Sequence, residues 1–150
     1  MYFQRMGATY DHYVVTGATI RIDTVVVDSN VTPPDSQAAI VGVYIEDDTT
    51  VNPTSMASKI EQGTAVYKTA TRATPSTIYK KWKVASTFGK YPQANSILRG
   101  SLTSDPVEEQ MFCIWVTGQG VSGSDTVRVQ VTILIEYDAI WFELKNDLVA

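Results

Sequence analysis

Apolar residues occupy every second position from Val127 to Tyr137, the most regular pattern in this chain. The six apolar positions are Val127, Val129, Val131, Ile133, Ile135 and Tyr137. A period of two places them on one face of a pleated strand, with the mostly polar residues between them on the other. Burial of such side chains contributes roughly 1.5–3 kcal/mol each before conformational entropy is subtracted. We therefore predict a long strand that buries this face and continues through Ala139 to Trp141.

Alternation of the same kind predicts four further strands, at Val14–Val27, Ala39–Ile45, Thr77–Ala85 and Gln110–Thr117. The predicted buried face of the first carries Val14, Ala18, Ile20, Ile22 and Val26. The predicted inward positions of the third are Ile78, Trp82 and Val84, and its outward positions are Tyr79, Lys81 and Lys83. The last strand is apolar on both faces, so we expect its second face to meet another layer or another chain.

Helical patterns are few in this sequence. Short helices are predicted at Tyr2–His12 and at Thr54–Gln62, the second capped by Thr54 or Ser55. The turn-rich segments are longer than hairpin loops and span Asp28–Gln37, Asp47–Pro53 and Gly118–Ser124. Long alternating strands joined by long loops are typical of a jelly roll, whose connections cross between sheets. We predict an all-β fold, a single jelly-roll β-sandwich with one or two short helices, over residues 1–150.

The composition argues against most catalytic and metal chemistries. A single cysteine, Cys113, excludes an internal disulfide and a cysteine-based zinc cluster, and a single histidine, His12, removes most metal and triad arrangements. We interpret Cys113 as an inert core thiol and His12 as a packed or interfacial side chain. No apolar run is long enough to span a bilayer. We predict no enzyme activity, no cofactor and no membrane partner.

Charge is distributed unevenly along the chain, although the formal net charge is only −4. Residues 63–103, called here the basic segment, contain seven of the 12 basic residues and none of the 16 acidic ones. This separation is compatible with a polyanionic partner, whereas the net charge by itself would argue against one. The alternative is a solvated face that happens to be basic.

The basic segment supplies the best candidates for nucleic-acid contacts. Lys81 and Lys83 share one face of a predicted strand with Tyr79, so the two ammonium groups can follow phosphates while the ring stacks on an unpaired base. The full candidate set is Arg72, Lys80, Lys81, Lys83, Lys90 and Arg99. Such contacts would be independent of base sequence. A rival interpretation places these lysines at subunit contacts with acidic residues of a neighbouring copy.

A weak metal candidate is the acidic cluster Glu46, Asp47 and Asp48, because calcium prefers oxygen ligands. The cluster lacks the spacing of any known loop motif, so a solvated loop is the simpler interpretation and no metal is predicted. The aromatic residues point instead to protein contacts, since large rings are enriched where surfaces bury each other. We assign Trp115 and Trp141 to one core and one interface position, without deciding which is which.

Several stretches together resemble the capsid proteins of circovirus-like, circular single-stranded DNA viruses. The stretch Tyr10–Ile22 resembles that family's Y-x-x-Y-x-V-x-G-[SA]-x-I-x-V segment, in which a short helix runs into a jelly-roll strand. Three later stretches are similar in order and spacing, namely Gly42–Asp47, Thr77–Lys90 and Ile135–Lys145. The resemblance covers most of the chain, although no single piece is diagnostic.

The resemblance implies a coat protein whose copies, on the order of sixty, form an icosahedral shell around single-stranded DNA. It implies the virion and the host nucleus as locations, and a possible host receptor as a partner. Capsids of this kind usually begin with an arginine-rich arm, and this chain as given is expected to lack it. Two alternatives stay open: a coat protein of a satellite-type RNA virus, since phosphate contacts barely depend on the sugar, and a carbohydrate-binding jelly-roll module.

Overall fold

The computed structural model describes residues 2–29, 38–47, 55–89, 91–119 and 127–145. Most of these residues lie in strands and the helices are short, which confirms the all-β prediction. The helices are α1 (Tyr2–Thr9), α2 (Met56–Ile60) and α3 (Val84–Phe88). The strands are β1 (Tyr10–Ser29), β2 (Ala38–Glu46), β3 (Val66–Thr71), β4 (Ser76–Lys83), β5 (Met111–Gln119) and β6 (Val127–Leu144). Two 3-10 turns lie at Pro92–Ala94 and Ser96–Leu98.

These elements form two three-stranded sheets, with strand orders β4-β1-β6 and β3-β2-β5. The chain also divides into two compact units. The unit called here the terminal unit comprises Met1–Thr19, Lys81–Glu109 and Glu136–Ala150, and the unit called the sandwich unit comprises Ile20–Lys80 and Gln110–Ile135. Strands β1, β4 and β6 therefore each continue from one unit into the other.

The sandwich unit buries its core between the two sheets. Ile20 and Ile22 of β1 and Ile78 of β4 pack against residues of the β3-β2-β5 sheet, and all three are almost fully buried. Their partners in this core are Val41, Val43, Val66, Phe112 and Ile114, with Val131 of β6 at its margin. The buried face predicted for β1 is confirmed at each of its five positions. Alternation along the backbone is a local property, so the sequence pattern determines it.

Strand β2 lies at the centre of its sheet and pairs antiparallel with β3 on one side and β5 on the other. Both of its faces are buried. The face opposite the main core carries Ile40 and Tyr44, which pack with Trp115 of β5 and with half-buried Ile60 and Ala65. The second apolar face of β5 therefore does meet another layer, supplied by the region of α2. Trp115 is the core tryptophan of the predicted pair.

A close approach between β2 and β5 requires glycine at position 42. Gly42 lies opposite Trp115 in the sheet register. A Cβ atom at position 42 would stand 2.3 Å from Cζ2 of the Trp115 indole. Such a separation is far below van der Waals contact, so any side chain at this position must displace a buried ring.

The terminal unit has its own small core of Val14, Val84 and Leu98, with Trp82, Phe88 and Phe142 packed around it. Tyr13 exchanges two backbone hydrogen bonds of 2.9 Å with Gly100, which joins β1 to the segment after the second 3-10 turn. Trp141, the second predicted tryptophan, is half-buried, and its ring centroid lies 5.2 Å from that of Tyr13. Burial, followed by the charges of Asp105 and Glu109, raises the pKa of Tyr13.

Several predicted boundaries and one predicted face are wrong. The first helix ends at Thr9 and not at His12, because the alternation of β1 begins at Tyr10. The predicted strand Thr77–Ala85 ends at Lys83, where α3 begins, and β3 was not predicted. The helix predicted at Thr54–Gln62 is confirmed as α2, whose N-cap is Ser55.

The larger error concerns β6. The strand itself is confirmed and extends to Leu144. However, only Val127, Val129 and Val131 of the predicted face are half-buried, whereas Ile133, Ile135 and Tyr137 are exposed. Among the described strands, β6 lies at an edge of its sheet. Because burial depends on what lies opposite a face, alternation by itself did not determine it.

Candidate nucleic-acid interface

Strand β4 carries the central lysines of the candidate site. Its side chains alternate between buried and exposed positions, starting from the buried Ser76 and Ile78. Tyr79, Lys81 and Lys83 are all exposed, as the period of two predicts. Their side chains therefore emerge on the same side of the strand. The Cα atoms of residues two apart on a strand are separated by about 6–7 Å, so the two lysines form a short row of positive charge of the kind that contacts phosphates.

Lys80 lies on the opposite side of β4 and is half-buried. Its Nζ donates a hydrogen bond to the carbonyl oxygen of Thr64. Lys68 of the neighbouring β3 makes a comparable bond, since its Nζ donates to the carbonyl oxygen of Thr77 at 2.7 Å. The ammonium groups of Lys68 and Lys80 thus both donate to backbone carbonyl oxygens. Among the predicted residues, Lys80 is consequently a weaker candidate for phosphate contacts than Lys81 and Lys83.

Tyr79 has an arginine over its ring. The guanidinium carbon of Arg21 on β1 lies 5.8 Å from the ring centroid of Tyr79, within cation–π range. Arg21 lies outside the basic segment, and the sequence reasoning placed it only on the polar face of a strand. Its proximity to Tyr79 adds a positive charge beside an exposed aromatic ring. Arg21 Nε also pairs with Asp23 Oδ2 at 2.8 Å, which offsets part of that charge.

Asp23 contacts both Arg21 and Thr77 and so connects a small polar network. Its Oδ1 accepts a hydrogen bond of 2.7 Å from the hydroxyl of Thr77 on β4. That hydrogen bond, together with the hydrogen bond and charge of Arg21, lowers the pKa of Asp23, while desolvation opposes the shift. The network therefore stabilises the ionised carboxylate and joins β1 to β4.

A pH dependence of stability follows from the lowered pKa of Asp23. A carboxyl group whose pKa is lower in the folded state contributes stability above its unfolded pKa of about 3.9, and this contribution is lost as pH falls through the folded pKa. We expect Asp23→Asn to be less stable than wild type at pH 6, and this difference in unfolding free energy to shrink toward pH 2. Urea denaturation at a series of pH values measures it. Thr77→Val, which removes the hydroxyl donor, is expected to weaken the same dependence, and a difference constant with pH would contradict the assignment.

Arg99 is engaged by a carboxylate of β6. Its Nη1 lies 3.6 Å from Oε1 of Glu143, its Nε donates to the carbonyl oxygen of Gln93 at 3.1 Å, and its guanidinium stacks 5.3 Å from the centroid of Phe142. Glu143 has a backbone φ of 61°, in the left-handed region that few non-glycine residues adopt. The pairing compensates the charge of Arg99, so this arginine contributes to the structure of the terminal unit more than to a phosphate surface.

The single histidine belongs to the same cluster. His12 Nε2 lies 3.4 Å from Oε2 of Glu143, and the His12 and Phe142 ring centroids are 6.0 Å apart. Nearby, Lys145 links the end of β6 to α1 by a hydrogen bond of 2.8 Å from its Nζ to the carbonyl oxygen of Gly7. His12 is thus a half-exposed side chain within a polar cluster.

The remaining candidates are dispersed along the chain. Arg72 is exposed in the turn between β3 and β4. Lys90 lies outside the described residues. Arg72 and Lys80 belong to the sandwich unit, whereas Lys81, Lys83 and Arg99 belong to the terminal unit. Of the six predicted residues, Lys81 and Lys83 are the two that lie exposed on the same side of one strand.

Two of the three residues of the acidic cluster, Glu46 and Asp47, lie within the described part of the structure. Glu46 is half-exposed at the end of β2, and its Oε1 accepts a hydrogen bond of 3.2 Å from the backbone N–H of Asp47. Asp48 lies outside the described residues. Within the described ranges, no group of three or more potential ligands is arranged to hold a metal ion. Cys113 is half-buried and packs in the cluster that contains Tyr44 and Trp115.

None of the helices in the described part of the chain has both the length and the apolar character needed to cross a membrane.

Among the residues that sequence reasoning missed, Arg21 is the most relevant to the site. The sequence offered little indication of this role, because a lone arginine on the polar face of a strand does not show which residue of the neighbouring strand it approaches.

Comparisons of the chain with protein-family models, with curated proteins and with solved structures gave no match.

Proposed function

We propose that this protein is the subunit of a small viral shell, a jelly-roll coat protein that self-assembles and encloses single-stranded DNA through contacts independent of base sequence. In this proposal the protein has no catalytic role and acts in the virion, after assembly in the host nucleus. The family resemblance motivates the proposal, and the structural support is the exposed apolar surface of β6 together with the exposed lysines of β4.

The observation that carries the proposal is the exposure of β6. Large apolar side chains along a single edge strand are exposed by between 37% and 65% of their surface: Ile133, Leu134, Ile135, Tyr137, Ile140 and Leu144. Monomeric proteins rarely leave such a row of side chains uncovered. A subunit that completes its burial only by association has this property, and a shell protein is such a subunit.

The two faces of the sandwich unit support the finer, jelly-roll interpretation. Two sheets enclose one apolar core, and β1 and β6 are long strands of 20 and 18 residues. Thr16 of β1 contacts Asp138 of β6, and Thr9, directly before β1, accepts a hydrogen bond from the backbone N–H of Lys145, directly after β6, so the β6 numbers fall as the β1 numbers rise. That order indicates antiparallel strands, as a jelly roll requires.

The exposed pair Lys81 and Lys83 supplies the proposed genome contact. Each lysine that neutralises a phosphate releases a counterion, so binding is expected to weaken steeply with salt. No recognition helix is required, because a shell must hold every part of its genome equally. Subunit contact with acidic residues of a neighbouring copy is the rival role for these two lysines.

One experiment tests the function and separates these roles. We expect the purified protein to form megadalton particles by light scattering behind a sizing column, with a 260 nm absorbance that indicates nucleic acid. The double variant Lys81→Glu/Lys83→Glu is expected to form particles of normal size without the 260 nm signal. The matched control Arg5→Glu/Lys59→Glu changes the net charge equally outside the basic segment and should package normally.

Two outcomes would change this proposal. Loss of particles in the Lys81→Glu/Lys83→Glu variant alone would assign the lysines to subunit contacts. A wild-type protein that stays a monomer of 16.5 kDa at high concentration would overturn the shell function and favour a ligand-binding module, which sugar-dependent stabilisation would then identify.

A further inference from the structure

We infer that Arg21 is a positioning residue, which holds the ring of Tyr79 as a stacking site for an unpaired nucleobase. Both residues lie in the sandwich unit, Arg21 on β1 and Tyr79 on the neighbouring β4. The ligand is a base of the single-stranded DNA that the proposed function assigns, so this role of Arg21 rests on that proposal. It adds a contact that depends on the bases to the phosphate contacts proposed for the lysines.

The ring of Tyr79 is accessible although one of its faces is occupied. The guanidinium carbon of Arg21 lies over the ring, 5.8 Å from its centroid. Even so, 62% of the surface of Tyr79 is exposed. Because a guanidinium on one face leaves the opposite face open, a flat ligand can stack there. Every base has a flat π-face, and stacking of bases on aromatic side chains is a common mode of binding to single strands.

Arg21 is itself held by contacts that lead back to β4. Its Nε lies 2.8 Å from Oδ2 of Asp23, and Oδ1 of Asp23 accepts a hydrogen bond of 2.7 Å from the Thr77 hydroxyl. Thr77 lies on β4, two residues before Tyr79. The contacts therefore form a closed circuit that begins and ends on the strand of the ring. A ring that is ordered before binding loses less conformational entropy when a base stacks on it.

The ion pair with Asp23 determines what Arg21 contributes to binding. Since the carboxylate offsets the charge of the guanidinium, Arg21 acts on the orientation of the Tyr79 ring more than on the attraction of phosphates. Phosphate contacts weaken steeply with salt through counterion release, whereas the stacking of a base neutralises no phosphate. The affinity that depends on Tyr79 should therefore depend on the presence of bases and little on salt.

Two oligomers with the same backbone separate the bases from the phosphates. We expect the full chain to bind an oligothymidine at least about fivefold more tightly than an abasic oligomer of equal length, as fluorescence anisotropy measures it. Tyr79→Ala should bring this ratio close to one, and Tyr79→Phe, which keeps the ring, should preserve it. Tyr91→Ala is the matched control, because Tyr91 is also a highly exposed tyrosine, and it should leave the ratio unchanged.

A double-mutant cycle tests whether Arg21 acts through the ring. Arg21→Gln should lower the ratio about twofold or more in the wild-type background and have no further effect in the Tyr79→Ala background. An equal reduction in both backgrounds would overturn the positioning role. The variant Lys81→Glu/Lys83→Glu should weaken the binding of both oligomers alike and so keep the ratio, and thermal melting confirms that each variant folds.

The stacking site and the shell can fail separately. Particles of normal size whose ratio is unchanged by Tyr79→Ala would overturn the stacking site and leave the shell intact. A monomer whose preference for the oligothymidine is lost in Tyr79→Ala would overturn the shell and support the stacking site. A wild-type protein without this preference, whose melting temperature is raised by a simple sugar only while Tyr79 is present, would overturn the nucleobase as ligand and assign the ring to a carbohydrate.

Discussion

Gly42→Ala is expected to lower the free energy of unfolding by about 2–3 kcal/mol, the upper part of the range for overpacking a well-filled core. Alanine is normally tolerated in a strand at least as well as glycine, so the expected loss comes from packing alone. The added methyl group would stand 2.3 Å from Trp115 Cζ2 and 2.4 Å from Cε2. Trp115 is 6% exposed and cannot rotate away without displacing Ile40 and Tyr44.

The matched control for this substitution is Gly63→Ala. No atom lies within 4 Å of the Cβ position at Gly63, and its backbone is not in the left-handed region. The control should therefore change stability by no more than about 0.5–1 kcal/mol, and in the stabilising direction, because alanine reduces the entropy of the unfolded chain. Urea denaturation of both variants gives the comparison. Equal stability of Gly42→Ala and Gly63→Ala would contradict the packing of Trp115 over β2.

Ile22→Ala is expected to have the largest effect on stability, about 3–4 kcal/mol, as for other buried isoleucines that leave a cavity. Ile22 is completely buried between the two sheets of the sandwich unit, in contact with the cluster that includes Val41 and Ile78. Strands on both sides of the side chain are hydrogen-bonded into their sheets, which limits how far the core can collapse into the space. Urea denaturation measures this loss, provided that the slope of the unfolding free energy against urea concentration is the same for the variant and for wild type.

Ile133→Ala removes the same atoms from an exposed site of the same unit and serves as its control. Ile133 is 48% exposed in the single chain. We expect a loss below about 1 kcal/mol at protein concentrations where the chain is monomeric. At concentrations where the chain associates, the same variant should weaken association, because Ile133 belongs to the exposed apolar row of β6 that the proposed association covers. A large loss in the monomer would mean that β6 is covered within a single chain.

The sequence pattern predicted strands β1, β2, β4 and β5 and the buried face of β1, although it missed β3 and misassigned part of the face of β6. The five predicted inward residues of β1 are all buried, and β2 and β5 lie within two residues of their predicted limits. The exposed side of β4, with Lys81 and Lys83, followed from the same alternation. These successes share one cause: the orientation of a side chain on a strand depends on local backbone geometry.

The contacts of the candidate site depended on partners that are distant in sequence. Arg99 was predicted to contact nucleic acid, and Glu143 lies beside it only because β6 returns to the terminal unit 44 residues later. Arg21 was assigned no role, and its position over Tyr79 follows from the pairing of β1 with β4. Composition indicated that the segment is basic, but it contained no information about which of its charges would be compensated.

The sequence by itself determined that this protein is mostly β-structure, which residues alternate on each strand, and that most positive charge lies in one segment. Tertiary structure decided which alternating faces are covered. Ile20 and Ile22 of β1 are buried because the β3-β2-β5 sheet lies opposite them, whereas the equally regular positions of Ile133, Ile135 and Tyr137 remain exposed. Periodicity is a property of one strand, but burial is a property of two surfaces in contact, and the second surface is chosen only when the chain folds.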